Sequence, residues 1–274
     1  MSRHGSSRHT HTITLYDVPA QSSPQAWIPN IWRVRYVVFI KKEIGVADRV
    51  IYRFILNYKR LRYQTVWLEF QDVERELRRI GAPHSAVRDG RPVYTLPVIL
   101  DPSRHPQHPP HILSNTNTIA EYLESTYPAR PVFPEGSRAM QTLFVHFVQE
   151  VFSKPLLPIM VPASHLQLPD RAQAHLRGPY GPVQTLVGPQ REQAWMAVKE
   201  QFDFLAMIMD KNCGDGDGIV SMGHDVTYAD FALCAVLIWI ERMSAHDVWA
   251  RVRTWNGGRW NRLWDRCREY MDEY

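Results

Sequence analysis

The sequence predicts an α/β domain followed by an all-helical domain, on three observations. Short apolar runs alternate with amphipathic stretches as far as Tyr127. Pro128 to Gly136 has the proline-rich composition of a linker. Beyond it, the long periodic stretches have helical spacing. The expected division is a disordered polar tail at 1–11, an α/β domain at 12–128, a linker at 129–137 and a helical domain at 138–274. A chain of 274 residues, 45% hydrophobic and 22% charged, is long enough for two ordinary cores.

Taken in order, Ile13-Thr14-Leu15-Tyr16 reads as a strand that closes at Asp17-Val18-Pro19. Pro29 followed by Asn30 suits a helix capped by Asn30. Gln64 to Phe70 alternates polar and apolar, the mark of a second strand. Asp72 to Ile80 is a charged helix ended by Gly81-Ala82-Pro83. Asp89-Gly90 is a hairpin-turn signal, followed by Val93 to Leu100 as one strand. Asp101 to His111 holds four prolines and reads as a loop. Ile112-Leu113 is a short strand, and Thr118 to Tyr127 is a helix stopped by Pro128. The helical half is expected at Met140 to Phe152, Glu192 to Met209, Tyr228 to Met243 and Trp260 to Tyr270. There is no internal repeat.

Several function classes are disfavoured. No apolar run approaches the ~20 residues of a membrane span, and the N-terminus lacks an apolar signal core. A cytoplasmic protein is expected, with no membrane partner. Cys213, Cys234 and Cys267 are far apart and form no C-x-x-C, which suits a reducing compartment. The net charge of +4 is spread along the chain, so no nucleic-acid partner is expected. Asn212 to Gly218 hints at a calcium loop but lacks its closing Glu, and the histidines are irregularly spaced; no metal site is expected.

Three features carry chemistry. Pro97 stands inside a run that otherwise reads as a strand, although it cannot donate to a ladder. It is either a trans edge-strand proline or the second residue of a cis Leu96-Pro97 bond, which would offer Leu96 to an extended peptide. Ser114-Asn115-Thr116-Asn117 opens a helix with short polar residues. Free N–H groups and the positive dipole end there would suit a carboxylate, with Thr116 as a hydroxyl donor and Asn115 as an acceptor for an ammonium; an ordinary N-cap is the plainer reading. Thr227-Tyr228-Ala229-Asp230 is a capping box, with Thr227 and Asp230 in structural roles.

Together these features resemble the cytosolic glutathione transferases over nearly the whole chain. More narrowly the chain is similar to the fungal etherase-like class. The stretches that match are Trp27 to Arg33, Asn57-Tyr58-Lys59, Tyr94 to Ile99, Thr118 to Leu123 and Trp255 to Trp260. The resemblance implies a thioredoxin-like N-terminal domain and a transferase-type helical C-terminal domain. It implies glutathione as co-substrate or ligand, held by Leu96, Pro97, Asn115 and Thr116, and a hydrophobic or aromatic second compound. It implies either conjugation of glutathione to such electrophiles, as in detoxification, or their reductive ether cleavage. The alternative is a non-catalytic ligandin. A homodimer is compatible with the family, although the Asp89-Gly90 hairpin, similar to the class's lid hairpin, would obstruct the usual pairing.

The sequence departs from the class pattern at three places. Ile28 occupies the position of the serine that activates the thiol, and it has no hydrogen to donate. Ser22, Ser23, Tyr16 and Asn30 are the available substitutes; Asn30 and Ser23 are carried forward as the catalytic candidates. Asn115 replaces the acidic residue that faces the ammonium of glutathione. Finally, Tyr36 to Arg53 is extra relative to the class. It is either a genuine insertion or a translated intron, since Arg35-Tyr36-Val37, Ala47-Asp48 and Tyr52-Arg53 can be encoded around GTACGT, CTGAC and TACAG. Its removal would join Trp32-Arg33-Val34-Arg35 directly to Phe54 to Lys59 as one amphipathic helix.

Overall fold

The computed structural model describes residues 12–18, 46–102, 108–166, 184–214 and 216–271. The tail at 1–11, Ile28 and the candidates Ser22, Ser23 and Asn30 lie outside the described residues. A four-stranded sheet organises the first half. Its strands are β1 (Ile13–Asp17), β2 (Tyr63–Trp67), β5 (Val98–Asp101) and β6 (His111–Ser114), in the order β2-β1-β5-β6. β1 and β2 run parallel, while β5 is antiparallel to both β1 and β6. A separate hairpin, β3 (Ala86–Arg88) with β4 (Arg91–Val93), turns at Asp89 and Gly90, both at positive φ. Two left-handed residues in succession are what a tight two-residue hairpin demands, so the Asp-Gly signal had a physical basis. Val93 to Leu100, expected as one strand, is split: β4 ends at Val93, the cis Leu96-Pro97 bond intervenes, and β5 begins at Val98.

Helix α1 (Val46–Tyr58) and helix α3 (Thr116–Thr126) pack together, and Ile51, Phe54, Ile55, Ile119 and Leu123 are fully buried in one core with Ile13 and Leu15. The short charged helix α2 (Val73–Arg79) covers a second core with Val73 and Leu77, which meet Tyr16, Leu96 and Val98. A mixed sheet carrying these helices is the thioredoxin-like arrangement. Within α1, Arg53 donates to Asp17 at 3.3 Å and to Thr65 at 3.2 Å, and its guanidinium lies 5.2 Å from the Trp67 ring. The segment expected to be extra thus contributes buried residues, Ile51, Tyr52 and Arg53, to the helix it leads into.

The second half comprises α4 (Arg138–Phe147), α5 (Leu157–Leu166), α6 (Gly188–Met209), α7 (Tyr228–Met243), the short α8 (Ala250–Val252) and α9 (Trp255–Arg268). α7 is apolar around most of its circumference, and a helix of that composition must be enclosed. It is: Phe231 to Ile240 are all buried, against α1 on one side and α4, α5 and α9 on others. Each large side chain enclosed there contributes roughly 1.5–3 kcal/mol. α4 ends in a π-helical turn, Val148–Phe152. In α9, Asn256, Gly257 and Gly258 adopt φ of 50°, 66° and 76°, so the regular helix starts only after them. Three consecutive left-handed residues tolerate little but glycine and asparagine; Asn256 also accepts the Trp260 indole N–H at 2.7 Å. No helix among the described residues is long and apolar enough to cross a membrane.

The two halves are joined at a polar seam. Lys59, just past α1, is buried with its Nζ 2.6 Å from Glu124 of α3. The same ammonium donates to the carbonyls of Tyr127 and Arg130 at 2.9 and 3.1 Å. Glu124 accepts in turn from the amide of Val132 at 3.2 Å. Asn57 reaches the far end of the chain, donating to the carbonyl of Tyr270 at 2.8 Å.

Candidate functional site

Register brings the first two sequence features together. Val98 of β5 pairs with Ser114 of β6. Leu96-Pro97 immediately precedes Val98 and Asn115-Thr116 immediately follows Ser114, so all four residues sit at one edge of the sheet. Tyr16 pairs with Val98, so β1 also delivers the chain to that edge. The Leu96-Pro97 bond is cis. Leu96 and Pro97 are buried, and Leu96 lies outside every ladder among the described residues.

Helix α3 starts at Thr116, with Asn115 as its cap. Asn115 sits at φ 77°, and its Oδ1 accepts from the amide of Asn117 at 3.0 Å. With ψ at 127° this backbone lies outside the left-handed helical basin that Asn tolerates, so it is held there against a local cost. A carbonyl oxygen has a second lone pair, so the cap leaves Asn115 able to accept once more. Thr116 is 4% exposed, and its Oγ1 finds no hydrogen-bond partner among the described residues. A buried hydroxyl without a partner costs roughly 1–3 kcal/mol. Beside the positive end of an eleven-residue helix, such a hydroxyl is a ready donor for an anion.

The third feature is closed. Thr227 and Asp230 form the reciprocal box at the start of α7. The Asp230 carboxylate accepts from the Thr227 amide at 2.9 Å, the Thr227 hydroxyl at 2.8 Å, the Ser221 amide at 2.7 Å and the Ser221 hydroxyl at 3.0 Å. Burial pushes the Asp230 carboxyl up, and these four donors pull against it. The adjacent amides are also used: Tyr228 donates to the carbonyl of Val132 and Ala229 to Gln141 Oε1. Among the described residues, the box's polar atoms are engaged with one another and with Ser221.

Tyr16, the substitute thiol activator within the described residues, has its ring among Leu77, Val73 and Leu96 in the core under α2. Burial raises its phenol above the usual value, with Arg79 opposing. α1 packs against the other core, and the helix start at Asn30 that is expected to face the sulfur lies outside the described residues. One contact at the site was not legible in the sequence. The Tyr228 hydroxyl donates to Asn117 Oδ1 at 2.7 Å, tying α7 to the first turn of α3 across 111 positions of chain.

Comparison with known proteins agrees on one family. Residues 139–270 match the model of the glutathione S-transferase C-terminal domain. A curated relative, the glutathione S-transferase-like protein ustS of Aspergillus flavus, is 24% identical over 230 residues, 80% of this chain and 82% of its own length. The crystal structure of glutathione transferase GSTFuA3 from Phanerochaete chrysosporium is 30% identical with a TM-score of 0.78, covering 95% of this chain and 98% of that one. A glutathione S-transferase of Ceriporiopsis subvermispora, solved in complex with glutathione, is also 30% identical with a TM-score of 0.76, covering 94% and 99%.

Proposed function

The chain belongs to the glutathione transferase family, and from that premise we propose that it binds glutathione at the sheet edge formed by Leu96, Pro97, Asn115 and Thr116. The observation that carries this reading is the buried Thr116 hydroxyl, unpartnered among the described residues, at the start of α3. There it would donate to the γ-glutamyl carboxylate, while the backbone of Leu96 pairs with the extended tripeptide as an added strand would. Asn115 would accept from the ammonium through its remaining lone pair, without the charge a carboxylate brings.

We further propose that glutathione bound here acts on a hydrophobic or aromatic electrophile, with Asn30 or Ser23 donating to its sulfur. The donor lowers the thiol pKa, and the thiolate attacks carbon. In ether cleavage the S–C bond forms as the C–O bond breaks, and the departing phenolate takes up a proton. Detoxification of such compounds in the cytoplasm is the role this chemistry would serve; all three cysteines are free, which suits that compartment. The second reading, a ligandin without turnover, draws on Ile28 at the activating position. An apolar face on α4 and α6, with Met140, Leu143, Phe204 and Met207 exposed, is where a homodimer would form.

Calorimetry with glutathione tests the reading, on this chain and on a form lacking Tyr36 to Arg53. Binding by both is expected if the segment is a tolerated insertion. Binding by the short form alone would support a translated intron, whose removal leaves Arg35 where Arg53 now meets Asp17. Absence of binding by either would overturn the glutathione reading. Turnover of a chromogenic aryl halide by a chain that binds glutathione separates transferase from ligandin.

A further inference from the structure

We propose that Tyr228 is a positioning residue for the anion socket at the start of α3; the inference rests on the reading of that socket as the glutathione site. Asn117 is the hinge of the arrangement. Its backbone N–H is held by the Asn115 side chain at 3.0 Å, and its own Oδ1 accepts the Tyr228 hydroxyl at 2.7 Å. Thr116, whose buried hydroxyl has no partner among the described residues, lies between the two. Fixing Asn117 from outside the helix therefore fixes the turn that aims Thr116.

Tyr228 is suited to be the fixed point. It is 1% exposed and is the first residue of α7. Its amide donates to Val132 at 2.9 Å, and its ring lies 4.8 Å from Phe133. The saturated Thr227–Asp230 box holds the backbone on either side. A phenol on that base is rigid, whereas Asn117 and Asn115 are exposed and would otherwise exchange rotamers with water. The helical domain thus preorganises a site built from the other half, and affinity gained by preorganisation comes from disorder the ligand no longer has to remove.

The test compares the full-length chain with Tyr228→Phe, which keeps the ring and deletes the hydroxyl. Glutathione affinity is expected to fall by about threefold to tenfold, with the KM for the second substrate unchanged. Asn117→Ala should weaken glutathione to a similar degree, and the double variant no further than either single change. In the ligand-free protein, amide hydrogen exchange at Thr116 to Thr118 should quicken in Tyr228→Phe while exchange within Phe231 to Ile240 stays as it was. Unchanged affinity and unchanged exchange at Thr116 to Thr118 would overturn the proposal. If the parent chain binds no glutathione, the functional reading fails by itself, and the exchange experiment still decides whether Tyr228 orders this turn. Should Tyr228→Phe misfold, Asn117→Ala carries the same comparison from the surface side.

Discussion

Two helix starts in this protein have similar sequences and opposite character. Asn115-Thr116-Asn117 opens α3 and Thr227-Tyr228-Ala229-Asp230 opens α7, each led by a short polar cap, Asn115 or Thr227, before an amphipathic or apolar run. At α7 the buried polar atoms of the box are engaged, with Asp230 accepting four hydrogen bonds. At α3 the cap makes its one bond, and a buried hydroxyl beside it is left over. A saturated helix start is architecture, and the unsaturated, buried one is where we propose that a ligand binds. The distinction lies in hydrogen-bond accounting, which local sequence does not display.

The contrast can be broken by mutation. Asp230→Ala should have the largest effect, since it removes the acceptor for Ser221 and Thr227 and leaves their groups buried. A loss of about 3–5 kcal/mol of stability is expected from the cap and the orphaned donors together, read as a lower urea midpoint. Thr116→Val should behave in the opposite way. Stability should hold or rise, by up to about 1–3 kcal/mol, because the buried hydroxyl it removes has no partner to lose, while glutathione affinity falls roughly tenfold. A Thr116→Val protein as unstable as Asp230→Ala would mean that the two helix starts are the same kind of structure.

A carboxylate on the surface supplies the smallest effect and the baseline. Asp203 accepts from Lys199 at 2.6 Å and from Asn256 at 2.9 Å, and the Lys199 hydrogen bond holds its carboxyl below the usual value. A depressed folded-state pKa stabilises the fold above the unfolded-state pKa of about 3.9 and ceases to as the pH falls through the lower value. The Asp203 side chain is 45% exposed, so Asp203→Asn should change stability at pH 7 by no more than about 0.5 kcal/mol. The difference should vanish in acid.

Much of the fold was legible. The Thr-x-x-Asp spacing predicted the start of α7 at Tyr228, because a capping box is a local device with a local signature. Asp89-Gly90 predicted the hairpin for a similar reason, whereas the break before Val98 fell inside a run expected as one strand, where Pro97 left cis and trans both open. The candidate site was half legible. Leu96, Pro97, Asn115 and Thr116 could be named singly, but their meeting depends on the pairing of Val98 with Ser114, a register set by the whole sheet. The Tyr228–Asn117 bond spans 111 positions and has no sequence mark at all. The Asn256 to Gly258 break in α9 was readable only as loop-prone residues, since their left-handed backbone still continues into the helix beyond.

The Lys59 ammonium has a consequence for exchanging halves between members of the family. Its acceptors, Glu124, Tyr127, Ala129 and Arg130, are all contributed by the chain before the first helix of the second half. A chimera spliced after Gly136 would carry the lysine and its complete set of acceptors together. One spliced at Pro128 would keep Glu124 and Tyr127 but put foreign backbone in place of the Ala129 and Arg130 carbonyls. The workable crossover point is therefore shifted downstream of the compositional boundary by one buried charge.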